Sequence, residues 1–206
     1  MHTNKDDLID LNRRATLSCI DLVARVRPDD LRRPTPCAEW DLSDLLAHMT
    51  VQHRGFAAAA AGDGKDFDWT PRRLAPDFAD AYAAAANEAL KAFDQPGALE
   101  RAFVLPEIPS ADSFPGTQAV SFHFIDALVH GWDVARSIDA AYDIPADFAA
   151  LAVRIARAVP GGPYRERPNA SFGPAVELAD GASPLDTVLC ALGRSPRWPK
   201  GQGVVW

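Results

Sequence analysis

The sequence has little of what several common chemistries require. Among 206 residues there are three cysteines, Cys19, Cys37 and Cys190, and no Cys-x-x-Cys pair. An odd count at irregular spacing is not a disulfide framework, and reduced thiols in a cytoplasm are the expectation. Lysine and arginine total 21 against 28 aspartates and glutamates, they form no run, and the net charge is −7 with a pI of about 5.1. Such a surface does not attract a nucleic-acid backbone or an anionic membrane, so neither is expected as a partner. No apolar stretch approaches the ~20 residues that cross a bilayer, and the polar opening from Met1 to Asp7 lacks an apolar signal core. A soluble cytoplasmic protein is expected. There is no glycine-rich phosphate loop, no GxSxG, no HExxH, no internal repeat and no coiled-coil pattern.

What is present is enough for a core: 48% of residues are hydrophobic and 24% charged. Leu8, Leu11, Ala15, Cys19, Leu22 and Val26 recur every three or four residues, which predicts a helix over 5–27, capped by Thr3 or Asn4 and stopped by Pro28. After a proline-containing loop, Asp41 with Asp44 three residues on opens a second helix to about Ala61, and Trp40 with Leu45 has the spacing of a hydrophobic staple. Gly62 and Gly64 end it. An alanine-rich third helix is predicted over 77–94. The connection 98–116 has prolines and no periodicity, and is expected to form a lid or pocket wall. Thr117 is expected to cap a fourth helix reaching about Ile138, and Pro145 to open a fifth ending at Val159. Beyond it, 172–178 is expected to be extended, Ser183 to open a short helix, and Trp198 and Trp206 to staple the tail to the bundle.

These elements predict an all-α fold: a four-helix bundle with an extra helix and a short C-terminal tail. The whole of 1–206 is expected to be one domain, with the bundle over about 5–160 and an appendage over about 161–206. The alanine-rich third helix allows a monomer or a homodimer.

The fourth helix holds the chemistry. At about 100° per residue, His123, Asp126, His130 and Asp133 share a stripe roughly a quarter-turn wide on a helix otherwise largely apolar. Buried imidazoles and carboxylates are costly unless paired or bound to a metal. Asp126 and His130, four apart, can converge on one ion, and His48, set among core-type residues of the second helix, can complete the set. Three protein ligands leave one coordination position open, and a mixed nitrogen/oxygen set suits zinc, or nickel, better than magnesium or calcium. The bland alternative is an Asp126–His130 hydrogen bond that stabilises the core. His123 can be a fourth ligand or support a ligand, and Asp133 is expected to pair with an arginine more readily than to orient a histidine. Gln52 and His53 can line a pocket, although exposed positions are expected for them, and His2 belongs to a frayed terminus. Cys37, just before a helix start, can be an acidified thiol, but buried packing is the commoner role for a free cysteine.

Thr35-Pro36-Cys37-Ala38-Glu39-Trp40-Asp41 followed by Leu45-Leu46-Ala47-His48 resembles the second-helix signature of the DinB-like superfamily. It is most similar to the mycothiol-dependent maleylpyruvate isomerase N-terminal domain group. Val129-His130-Gly131-Trp132-Asp133-Val134-Ala135 resembles that group's HxWDxA signature, and the tail from Phe172-Gly173-Pro174 through Ser183-Pro184-Leu185-Asp186 to Leu192-Gly193-Arg194 is similar to its actinobacterial branch. The resemblance implies a four-helix bundle with a divalent metal near one end, held by a histidine of the second helix and a carboxylate-x-x-x-His pair. Those positions fall on His48, Asp126 and His130. The family carboxylate is typically Glu, whereas Asp126 is shorter by one methylene, and the separate C-terminal domain of the isomerase is not evident. The implied function is a metal-dependent transferase or isomerase acting on a small molecule with a low-molecular-weight thiol such as mycothiol, with His123 or His53 available to shuttle protons. Two alternatives stand beside it: a metal-dependent hydrolase with His123 as the candidate base, and a non-catalytic metal-stabilised binding or regulatory module with a closed fourth position that His123 can fill.

Overall fold

Apolar residues at three- and four-residue spacing make four long helices that can each bury one face. The computed structural model describes residues 5–37, 39–108, 111–166 and 171–199. The helices are α1 (Lys5–Val23), α2 (Leu42–Ala61), α3 (Phe78–Phe93) and α4 (Gly116–Ser137). α1 and α2 each pack against both α3 and α4, which closes the four into a ring around one core. The expected all-α bundle is therefore the architecture, with α5 (Ala146–Ala158) as the extra helix and α6 (Pro184–Ala191) in the tail. α5 lies on α4, and α6 lies on α5.

The start of α2 is set locally. The Asp41 carboxylate accepts from the Asp44 N–H at 3.0 Å, and the Asp44 carboxylate accepts from the Asp41 N–H at 3.2 Å, so two otherwise orphaned donors are satisfied. At its other end Gly62 takes φ 103°, and its N–H reaches the Ala58 and Ala59 carbonyls; this left-handed cap suits a residue without Cβ. Ser183 and Asp186 form the same reciprocal box for α6.

Several boundaries differ from expectation. α1 ends at Val23, and Arg25 and Val26 continue as tight turns bonded to Leu22 and Val23. Val26 stays buried on the same stripe, so the apolar period outlasts the helix. Pro28 opens a short 3-10 turn, Pro28–Arg32. α4 begins at Gly116, not with a Thr117 cap: β1 (Ala102–Phe103) pairs antiparallel with β2 (Phe114–Pro115), and the Gly116 N–H donates to Arg101 O at 2.8 Å. The connection 98–116 thus feeds the core through Phe103, Leu105 and Phe114. It also brings the Glu107 carboxylate onto the Gln52 amide. Among the described residues, 172–178 forms no strand, and a bond from Val176 N to Cys190 O holds it to α6. The tail is fastened by Arg136, which donates to Trp198 O, and by the buried Arg165 guanidinium, which donates to Pro160, Val159, Gly173 and Ala191 carbonyls. Thr3, Asn4, His2 and Trp206 lie outside the described residues.

Candidate metal centre

α4 is apolar nearly all round and is covered on most sides, so its polar side chains must be matched inside the protein. His130 and Asp126, one turn apart, are: His130 Nε2 lies 3.4 Å from Asp126 Oδ1. α2 crosses opposite, and the His48 ring meets the His130 ring edge-on with centroids 5.2 Å apart. One ligand atom from each of His48, Asp126 and His130 lies within 4.8 Å of the other two. Around a tetrahedral zinc with bonds of 2.0–2.1 Å, neighbouring ligand atoms are about 3.3 Å apart, which is the Asp126–His130 spacing. The donor set therefore fits a divalent ion of the borderline class.

The three donors are not equally enclosed. His130 is 5% exposed, whereas the Asp126 side chain is 27% exposed. His48 is partly exposed, with the Trp40 ring 4.9 Å away at the rim. The set thus opens on the His48 and Asp126 side and is fixed from the His130 side. That fixing group is Asp133, fully buried, whose Oδ2 accepts from His130 Nδ1 at 2.9 Å. A carboxylate on the far nitrogen sets the tautomer and aims Nε2 at the remaining donors, an arrangement typical of histidine ligands.

Residues 13–135 match the mycothiol maleylpyruvate isomerase N-terminal domain family. The chain belongs to this family. Two relatives from Mycobacterium tuberculosis, the proteins named Rv0738 (strain ATCC 25618 / H37Rv) and MT0763 (strain CDC 1551 / Oshkosh), are each 31% identical over 177 residues, covering 85% of this chain and 91% of theirs. Both are named only as uncharacterized proteins. Two crystal structures of the mycothiol-dependent maleylpyruvate isomerase, one of them a histidine-to-alanine mutant, share the fold with a TM-score of 0.58 at 13% and 12% identity, over 76% of this chain and 72% of theirs. The isomerase-family match covers α2 and nearly all of α4, the two helices that carry the donor set.

The charges in this family member are tightly coupled. Burial pushes the Asp126 carboxyl up, but His130, and after it His48 and His123, hold it well below the ordinary range. Burial likewise lowers His130, yet Asp126, Asp133 and Cys37 together keep it well above its ordinary value. His48 is pushed down to about 4, first by burial and then by the neighbouring His130. At neutral pH His48 offers a lone pair and Asp126 a negative charge, while His130 has a proton to give up before it can ligate.

A second potential group, Cys37, His130 and Asp133, shares His130 with the first. Arg194 excludes a cation there: its Nη2 donates to Asp133 Oδ2 at 3.1 Å and to Cys37 Sγ at 3.3 Å, so the position faces a guanidinium. Cys37 also lies 3.2 Å from Asp133 Oδ2. Asp133 accordingly does both things considered for it, orienting a histidine and pairing with an arginine.

His123 lies deeper than the donor set. Its Nδ1 is 2.7 Å from Asn12 Oδ1 and its Nε2 2.8 Å from His53 Nδ1. Both ring nitrogens are engaged, so it is in position neither to be a fourth ligand nor to act as a base on substrate. Gln52 and His53 are buried, at 8% and 4% exposure, not on the surface as expected. α2 is covered by α3 on one flank and α4 on the other, so polar residues on both flanks turn inward. Gln52, one turn from His48, carries the Glu107 hydrogen bond at the mouth. Arg194 and Glu107 were not assigned from sequence. Arg194 ends the tail motif, but its partner lies 61 positions away; Glu107 sits in a connection with no periodicity to mark it.

Proposed function

We propose that this chain, acting as one unit over residues 1–206, is a divalent-metal protein of the cytoplasm that uses a low-molecular-weight thiol of the mycothiol type on a small electrophilic substrate. Zinc is the expected ion and nickel its alternative. His48, Asp126 and His130 are the ligands in this reading, and the observation that carries it is the Asp133–His130 pair. A fully buried carboxylate spends itself on the far nitrogen of a histidine whose near nitrogen already stands at ligand spacing from Asp126. A divalent cation in this set supplies Lewis acidity that lowers the pKa of an incoming thiol sulfur. The protein's own contribution is positional. Asp133 and Arg194 hold the His130 ring from the inside, Trp40 packs on His48 at the rim, and Gln52 holds Glu107 beside the opening. Addition of the thiolate to one carbon of an activated C=C forms the C–S bond as the π bond breaks; protonation of the resulting carbanion from water leaves the thioether adduct, whereas rotation about the new single bond and expulsion of the thiolate restores the double bond as its isomer.

The structure gives the two competing readings no support. His123, the fourth ligand or base that the sequence offered for them, is 1% exposed with both nitrogens bonded inside the core and serves neither.

The first test is the metal content of protein purified without added metal or chelating resin, wild type beside His130→Ala. About one equivalent is expected in the wild type and its loss in the variant, after which thiols are assayed against electrophiles. No metal in either protein, with thermal stability unchanged on adding Zn²⁺ or Ni²⁺, would reduce Asp126 and His130 to a buried hydrogen-bonded pair.

A further inference from the structure

Below the candidate centre, one hydrogen-bonded chain takes a residue from each of the four long helices. Asn12 of α1 accepts through Oδ1 from His123 Nδ1 of α4 at 2.7 Å. His123 Nε2 accepts from His53 Nδ1 of α2 at 2.8 Å, and the Tyr82 hydroxyl of α3 donates to His53 Nε2 at 3.1 Å. All four side chains are buried. Phe56 and Phe93 rings stand edge-on to the His123 imidazole, at 5.1 and 5.0 Å, and block its sideways movement.

α2 and α4 meet through histidines twice. His48 faces His130 at one level and His53 faces His123 at the other, so the two helices run antiparallel. His123 and His130 are two turns apart on α4, about 10 Å along its axis. The upper contact is edge-to-face with ring centroids 5.2 Å apart, which tolerates sliding. The lower is a direct imidazole-to-imidazole hydrogen bond, which weakens steeply once its length or angle is lost. Short, stiff side chains anchored on α1 and α3 leave it no slack.

We infer that the His53–His123 hydrogen bond fixes the axial register of α2 against α4, and thereby the spacing of His48 from the Asp126/His130 pair. The consequence for metal affinity rests on the metal reading above; the register itself does not. His53 and His123 are positioning residues: they touch neither ion nor substrate but determine where the ligands stand.

The test uses the full chain. His123→Phe keeps a ring between Phe56 and Phe93 and removes the bond; His53→Leu cuts it from the α2 side should His123→Phe not fold. His53→Asn retains an amide donor for His123, because an asparagine amide nitrogen stands as far along the side chain as the imidazole Nδ1 that makes the bond. Two readouts are taken: imidazole ¹⁵N–¹H resonances of His48 and His130 in chelator, and Co²⁺ affinity with its visible absorption. In the cut variants the His48 and His130 resonances should move and broaden and Co²⁺ should bind about tenfold more weakly with an altered spectrum, while His53→Asn recovers most of both. A folded cut variant with unchanged resonances and unchanged Co²⁺ binding overturns the inference. Should the wild type bind no Co²⁺, the metal reading fails, and the resonances alone decide the register: movement upholds it and constancy refutes it.

Discussion

Asp133 is the residue on which the candidate centre turns. Its Oδ2 receives three donors, from His130, Cys37 and Arg194, while Oδ1 has no partner among the described residues. Burial pushes its carboxyl up, and Arg194 followed by His130 more than reverses that, so it stays charged. Asp133→Ala would leave the Arg194 guanidinium, 7% exposed, without its counter-charge and the His130 ring without its anchor. Removing one partner of a buried ion pair costs about 3–5 kcal/mol, and removing the support of a ligand histidine weakens metal binding about 10–100-fold. Urea unfolding and Zn²⁺ titration of this variant check the two figures separately; an unchanged Zn²⁺ affinity would show that Asp133 serves stability alone. His48, Asp126 and His130 were legible in the sequence because each interrupts an apolar run, where a polar residue needs a reason. Gln52 and His53 were not: they sit where α2 turns toward the apolar stretch Phe56–Ala61, and nothing local says that a second helix covers that flank. The Arg194 partnership was invisible for the plainer reason that only the folded tail brings it to Asp133.

Among the elements, the α1–α4 contact backs the helix that carries Asp126 and His130. Gly131, next to His130, has no room for a side chain: a Cβ there would stand 2.9 Å from Cys19 Sγ of α1 and 3.0 Å from the Tyr142 hydroxyl. Both groups are committed, the thiol to Ala127 O and the hydroxyl to Leu128 O. Gly131→Ala would gain helix propensity yet should destabilise the protein by about 1–3 kcal/mol through overpacking, and, by tilting α4 beside His130, weaken metal binding. Thermal melts with and without Zn²⁺ read both effects; a variant more stable than wild type would show that α1 yields freely. Helices themselves were well specified by short-range signals. The Asp41/Asp44 and Ser183/Asp186 boxes appear where their spacing places them. Ends governed by distant partners were missed: β1 and β2 pair across an intervening loop and decide where α4 begins.

At the scale of the molecule, the four-helix chain makes stability depend on pH. Burial lowers His123 to about 4 and holds His53 well below its ordinary value, so both stay neutral in the folded protein while the unfolded chain protonates them near 6.5. The unfolded state then binds more protons, and their contribution is present above about pH 6.5 and is lost as pH falls toward 4, by up to about 1.4 kcal/mol per pH unit for each histidine. His130 has the opposite sign: its raised value stabilises below about 6.5 and fades only on the alkaline side, so it adds no slope in acid. Urea midpoints in chelator at pH 7, 6 and 5 should fall more steeply for wild type than for His123→Phe; equal slopes would place the acid sensitivity elsewhere. The bundle and its family were legible because both follow from periodicity and motif order along the chain, whereas the way the tail closes over Asp133 depends on a return that no local pattern encodes. That return has a temporal consequence. Cys37 and Arg194 are 157 positions apart, and Asp133 precedes Arg194 by 61. On a ribosome adding about 5–20 residues per second, Asp133 is made seconds before the guanidinium that pairs with it. During that interval the carboxylate has His130 and Cys37 but not its arginine, so the ion pair that closes over Asp133 forms only when the segment around Arg194 folds back onto the bundle.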